Sequence, residues 1–222
     1  MIDSFNIQVL EGCSIMNKKV SVIIPCYNSG QFITACLDSI PKRDDIEIIC
    51  INDGSTDNTL NKLKEYKKLC YPNLIIINYS TNKGVSYARN KGLNKAIGDY
   101  ILCIDSDDTI VSSVFNEIVD EELNNFIDIV FYNMIDNNGE VYEVNPHTAM
   151  NRVGCFKFVR AEFIGKTRYK VGLQRGEDSI FHQQLICKCP NIRCTDKVMY
   201  EYNFPREGSL TDIYKKTKKD TL

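Results

Sequence analysis

The 222-residue sequence lacks any long apolar run. Its uninterrupted stretches, such as Val22 to Ile24 and Leu74 to Ile77, fall far short of the roughly 20 residues that cross a bilayer, so no transmembrane segment is expected. It also lacks a charge bias. A formal net charge of −2 gives no electrostatic case for a nucleic-acid binder. The first sixteen residues have no basic stretch followed by an apolar one and do not read as a secretory signal. Histidine is scarce: His147 and His182 are the two present, and neither stands beside a GxSxG pattern, which disfavours a Ser-His-Asp hydrolase.

Cofactor signatures are missing too. Where a dinucleotide fold needs GxGxxG after its first strand, the chain has Pro25-Cys26-Tyr27-Asn28-Ser29-Gly30, and GxxxxGK[ST] is absent. An EF-hand loop started at Asp105 would put Ile110 where glycine is required and Asn116 where a bidentate glutamate is required. Paired cysteine spacing is lacking as well: Cys187, Cys189 and Cys194 with His182 are enough ligands for zinc but not in the usual pairs. The ten cysteines are dispersed, and Cys50 and Cys103 lie inside strand-like runs, where cysteine acts as a small hydrophobe. Reduced thiols in a cytoplasm fit best.

What is present is an ordinary globular composition, 43% hydrophobic and 25% charged, in a chain long enough for one substantial domain. Lys19 to Pro25 is a β-branched run stopped by proline, and Phe32 to Ile40 then carries apolar residues at helical spacing. Ile46 to Ile51 reads as a second strand, and Leu60, Leu63, Tyr66 and Leu69 mark a second helix. Leu74 to Asn78, Gly84 to Ala96 and Asp99 to Ile104 continue the alternation as strand, helix and strand. Apolar strands separated by helices imply a parallel sheet covered on both faces, with ligands bound beyond the carboxyl ends of the strands.

The pattern then changes. Val114 to Leu123 suggests a helix whose acidic residues Glu117, Asp120, Glu121 and Glu122 form a solvated face. Ile127 to Ile135 and Val141 to Val144 flank Asp136-Asn137-Asn138-Gly139 and read as a hairpin. Residues 146–176 are weakly patterned and receive no assignment. Glu177 onward reads as a helix with Gly176-Glu177-Asp178 at its start, and the basic residues Lys215, Lys216, Lys218 and Lys219 read as a frayed tail.

The strand ending at Ile104 delivers Asp105-Ser106-Asp107-Asp108. In extended chain, residues i and i+2 project to one side, so Asp105 and Asp107 can converge on a hard cation carrying a phosphorylated ligand. The same residue types also cap free backbone N–H groups where a strand hands over to a helix. The cluster alone leaves both readings open.

Five motifs taken together resemble family 2 glycosyltransferases. They are Val20 to Asn28, Ile51-Asn52-Asp53-Gly54-Ser55-Thr56-Asp57, Asn82-Lys83-Gly84 with Ala88 to Gly92, Asp105 to Asp108, and Gly176-Glu177-Asp178. The resemblance spans residues 18–212, with Tyr202 and Arg206 to Thr211 similar to the family's C-terminal active-site stretch. It implies an α/β GT-A fold: a Rossmann-like, mostly parallel central sheet flanked by helices, with a smaller mixed C-terminal part. Residues 1–17 would be an N-terminal extension, 18–109 the nucleotide-sugar-binding half, 110–212 the acceptor-side half and 213–222 a basic tail.

The resemblance also implies roles. Pro25 and Tyr27 would lie against the base, Asp53 would hydrogen-bond it, and Arg89 would flank the nucleotide. Asp105 and Asp107 would touch the ribose and hold Mn²⁺ or Mg²⁺ on the diphosphate, with Asp108 assisting or replacing one of them. Asp178 would be the general base and Glu177 its rival. The usual acidic residue before Asp53 is replaced by Asn52.

The activity implied is inverting transfer from a UDP-type sugar nucleotide to a hydroxyl of a glycan or lipid-linked acceptor in cell-surface polysaccharide synthesis. Its setting would be cytoplasmic, with peripheral association at the inner face of the membrane. Two rivals differ in class. A nucleotide-sugar-binding module without catalysis is opposed by the intact Asp105, Asp107 and Asp178. A nucleotidyltransferase would carry a glycine-rich, arginine-containing loop after the first strand, which is missing.

Overall fold

The structure is a computed structural model and describes residues 19–124, 126–144, 155–173 and 175–204. His147, the stretch Arg206 to Thr211, and the two terminal segments expected at 1–17 and 213–222 lie outside the described residues. Alternation dominates the first half: β1 (Val20–Cys26), α1 (Ile33–Ser39), β2 (Ile46–Asp53), α2 (Thr59–Leu69), β3 (Ile75–Tyr79), α3 (Val85–Lys95) and β4 (Tyr100–Cys103). The second half brings β5 (Thr109–Ile110), α4 (Ser112–Glu117), β6 (Ile129–Asp136), β7 (Val141–Tyr142), β8 (Lys157–Arg160), α5 (Ala161–Ile164), α6 (Glu177–Ile186) and β9 (Ile192–Tyr202).

Among the described residues the strands form one sheet in the order β3-β2-β1-β4-β8-β6-β9-β5, with β7 beside β6. The expected parallel sheet is real for β1 to β4. Beyond β4 parallel pairing recurs between β6 and β9, but the other pairings are antiparallel. β8 runs antiparallel to both β4 and β6, β7 antiparallel to β6, and β5 antiparallel to β9, so the sheet is mixed rather than mostly parallel. For β7 the reason is local: β6 turns into it through Asp136 to Gly139, and a tight hairpin can only join antiparallel neighbours. β8 and α5 come from the stretch that the sequence pattern left unassigned.

Alternate strand residues feed two cores. Val20, Val22 and Ile24 of β1 join Ile33 and Leu37 of α1, Leu63 of α2 and Phe115 of α4. Ile23 points the other way, to Ala88 of α3 and to Phe181 and Leu185 of α6. This places α3 and α6 on the same face of the sheet, a relation the site depends on.

The acidic helix differs from expectation. α4 passes into a π-helical turn at Ile118–Glu122, and that turn buries Glu122 beside Arg193 instead of exposing it. Nine described cysteines are free, with Cys26, Cys36, Cys50, Cys103 and Cys155 buried.

Candidate functional site

The parallel register puts the exits of β1, β2 and β4 at one edge. Two of these exits are stitched together. Asn28, at a left-handed φ of 50°, accepts the Thr56 amide at 2.8 Å, while its own amide donates to Ser55 Oγ at 3.0 Å. Asp57 accepts the Gly30 amide at 2.9 Å and the Thr59 amide at 3.0 Å, so it ties the turn before α2 to the β1 exit. The third exit joins through Ser106, whose Oγ lies 2.6 Å from Ser29 Oγ.

The residues expected to meet the nucleotide fall into two groups. Tyr27 is half exposed at the rim, and Pro25 is buried inside β1. Asp53 is only 3% exposed, and its carboxylate is engaged within the protein, accepting the Lys83 amide at 3.0 Å and the Gly84 amide at 2.7 Å. Beside it the buried Asn52 donates to Asn78 at 2.7 Å. Gly54, at φ +73°, lets the β2 exit pass so close that a Cβ there would meet Asn82 N at 2.4 Å.

The carboxylates after β4 diverge. Asp105 is partly exposed; its Oδ1 accepts from Arg89 Nη2 at 2.9 Å and its Oδ2 from the Cys155 thiol at 3.2 Å. Asp107 is half-buried and lines a cavity of about 450 Å³ together with Gln31, Phe32, Asp136, Glu201 and Tyr202. Asp108 is 2% exposed and faces inward: it accepts from Tyr200 Oη at 2.5 Å and from the Asn203 amide at 2.8 Å. Burial, then repulsion from Asp105 and Asp107, pushes the Asp108 carboxyl up to about 8.

Among the described residues no group of three His, Cys, Asp or Glu side chains is arranged to hold a metal unaided. The donor set still fits a Mg²⁺-type ion, which commonly takes one or two carboxylates and completes its shell with water and substrate phosphate. Asp107 at the cavity wall and the partly exposed Asp105 supply that chemistry. Both Asp108 oxygens are engaged, as both Asp105 oxygens are, but Asp108 is 2% exposed and faces inward whereas Asp105 is partly exposed. Cys187, Cys189 and Cys194 are exposed, whereas His182 is buried against Phe131.

Arg89 organises the remainder. It sits in α3, 3% exposed, and reaches across to the first turn of α6, where Nη1 donates to Asp178 Oδ1 at 2.6 Å and to Glu177 Oε1 at 3.2 Å. One guanidinium thus joins Asp105, Glu177 and Asp178, and the attraction of Asp105 and Asp178 holds its own pKa well above the usual value although burial opposes this. Burial and the adjacent Asp178 push the Glu177 carboxyl up to about 7. Lys157 of β8 is fully buried, which pulls its pKa down to about 8 against the attraction of Asp178.

Several of these partners carry no sequence signal. Tyr200, Asn203 and Cys155 have unremarkable neighbours in the chain and reach the site through β9 and the segments beside β9 and β8. Tyr202 belonged to the C-terminal stretch of the resemblance, and two residues earlier on the strand Tyr200 holds Asp108.

Residues 21–188 match the family model for glycosyl transferase family 2, and the chain belongs to that family. It is 32% identical over 214 residues to the poly(ribitol-phosphate) beta-glucosyltransferase of Bacillus spizizenii, covering 88% of this chain and 34% of that protein. The crystal structure of S. aureus TarS 1-349 in complex with UDP-GlcNAc superposes with a TM-score of 0.73 at 28% identity, covering 86% of this chain and 60% of that one. The mannosyltransferase PcManGT from Pyrobaculum calidifontis, solved with GDP-Man and Mn²⁺, shares the fold at a TM-score of 0.68 and 18% identity, covering 86% and 58%. The chain therefore spans about a third of the first curated relative and about 60% of these solved structures. Among the described residues no helix is long and apolar enough to cross a membrane.

Proposed function

We propose that this chain carries an inverting glycosyltransferase site that moves a sugar from a nucleoside diphosphate, UDP in the first instance, to a hydroxyl of a glycan or lipid-linked acceptor. The observation that carries the reading is the single guanidinium of Arg89 bonded to both Asp105 and Asp178, which lie on different elements. A donor-side carboxylate and a partly exposed carboxylate fit to act as base stand together at the carboxyl edge of the parallel strands. TarS, a relative by fold and sequence, binds UDP-GlcNAc at the level of its solved structure, which supports a UDP donor.

In this reading residues 18–109 hold the donor and residues 110–212 face the acceptor. Tyr27 offers its exposed ring to the base, and Asp53 shapes the base pocket by fixing the Lys83–Gly84 turn. Asp107, with Asp105, would hold Mn²⁺ or Mg²⁺. When bound, that cation would offset charge developing on the diphosphate, a contribution of several kcal/mol. Asp178 takes the proton of the acceptor hydroxyl as its oxygen bonds to the anomeric carbon. The bond from that carbon to the diphosphate oxygen breaks on the opposite face, so the configuration inverts. Glu177 is held back as the rival base: it is less exposed and its carboxyl is raised to about 7.

The test is product formation. Purified protein incubated with UDP-sugars and Mn²⁺ should release UDP slowly without acceptor and faster with a glycan acceptor. Tight UDP binding with no release or transfer across a broad donor and acceptor screen would favour a binding module instead.

A further inference from the structure

We propose that Arg89 is a positioning residue: it sets the separation between the donor-side carboxylate Asp105 and the acceptor-side carboxylate Asp178, and Tyr169 and Asn90 hold it at that task. The inference rests on the functional reading above and adds a role that sequence resemblance did not give, since resemblance placed Arg89 beside the nucleotide. The guanidinium is 3% exposed, and its two terminal nitrogens donate to carboxylates while the buried Nε has no hydrogen-bond partner. It acts through Asp105 and Asp178 rather than by touching the donor.

The geometry is specific to arginine. Nη2 serves Asp105 at 2.9 Å, while Nη1 serves Asp178 at 2.6 Å and Glu177 at 3.2 Å. The planar fork fixes the spacing of these two nitrogens, so it also fixes the spacing of the oxygens they bind. A lysine ammonium is a single point on a flexible stem and could not impose that spacing.

A second set of contacts holds the fork. Arg89 Cζ lies 5.4 Å from the centre of the Tyr169 ring. That ring stacks on Phe181 of α6 at 4.0 Å and 12°. The Tyr169 backbone is clasped on both sides by the neighbour of Arg89: Asn90 Nδ2 donates to Tyr169 O, and Tyr169 N donates to Asn90 Oδ1, each at 2.8 Å. Phe181 lies one helical turn beyond Asp178. Tyr169 therefore ties the arginine on α3 to the same helix that presents the base.

The experiment compares wild type, Arg89→Lys, Arg89→Ala, Tyr169→Leu and Asn90→Ala in UDP calorimetry and steady-state transfer kinetics. Arg89→Lys should keep UDP affinity within about threefold while kcat falls about 100-fold, the usual scale for an ångström of misplacement. Millimolar guanidinium should restore part of the kcat lost in Arg89→Ala, which a general loss of folding would not allow. Tyr169→Leu and Asn90→Ala keep the arginine and should lower kcat more than they raise KM; they decide the matter if neither arginine variant folds. Unchanged kcat in folded Arg89→Lys, or a loss confined to UDP affinity, would overturn the positioning role while leaving the functional reading intact. A wild type that neither binds UDP nor turns over a donor would instead overturn the functional reading, and this inference with it.

Discussion

Glu177 and Asp178 stand side by side in the first turn of α6 and share one donor, Arg89 Nη1, at 3.2 and 2.6 Å. Burial and that adjacent charge raise Glu177 to about 7, above an ordinary glutamate value of 4.5. The folded protein thus keeps a proton that the unfolded chain has released between about pH 4.5 and 7. Its stability should fall as pH rises through that window. Denaturant unfolding at pH 5 and pH 7.5 checks the sign: wild type should lose more stability across the step than Glu177→Gln does, and equal losses would remove Glu177 as the cause.

Asp178→Asn separates the two acidic residues functionally. The amide keeps the shape of the side chain and can still accept from Arg89, but it cannot take a proton. Turnover should drop by about 10²- to 10⁴-fold with UDP affinity unchanged. Retained turnover would move the base to Glu177.

Asp53 gives a prediction that differs from a simple base-contacting role. Its carboxylate satisfies the Lys83 and Gly84 amides, and Asp53→Ala leaves them without that acceptor. The variant should lose about 1 to 3 kcal/mol of stability together with nucleotide affinity. Thermal unfolding without ligand is the check, because a residue that only touched the base would leave the apo protein unchanged.

Gly54→Ala probes the crowding at the same exit. The new Cβ would lie 2.4 Å from Asn82 N on a backbone at φ +73°. A cost of roughly 2 kcal/mol or more is expected from strain and displacement of the Thr81–Asn82 backbone. A melting temperature equal to wild type would show that the two loops separate freely.

How much of this was legible in the chain differs between halves. The β1 to β4 alternation could be read because each element is short, regular and bounded by Pro25, the Asn52 to Asp57 turn or Gly84. The hairpin at Asp136 to Gly139 was legible for the same reason. The antiparallel insertion of β8 was not: four strand residues after a weakly patterned stretch acquire their place only by pairing with β4 and β6. Site residues could be named from motif context, but their partners could not. Arg89 and Asp178 are 89 positions apart, and nothing in either segment shows that one guanidinium will bridge them. The inward turn of Asp108 likewise depends on Tyr200, supplied by the last strand.

The central claim is that the carboxyl edge of β1, β2 and β4 binds a nucleoside diphosphate through a cation held at Asp107. Calorimetry with UDP, with and without Mn²⁺, on wild type and Asp107→Ala tests it most directly. The account predicts binding that strengthens at least tenfold with Mn²⁺ in wild type, equivalent to about 1.4 kcal/mol, and loses that gain in Asp107→Ala. No UDP binding by the wild type, or an Asp107→Ala protein that keeps the full Mn²⁺ effect, would contradict it.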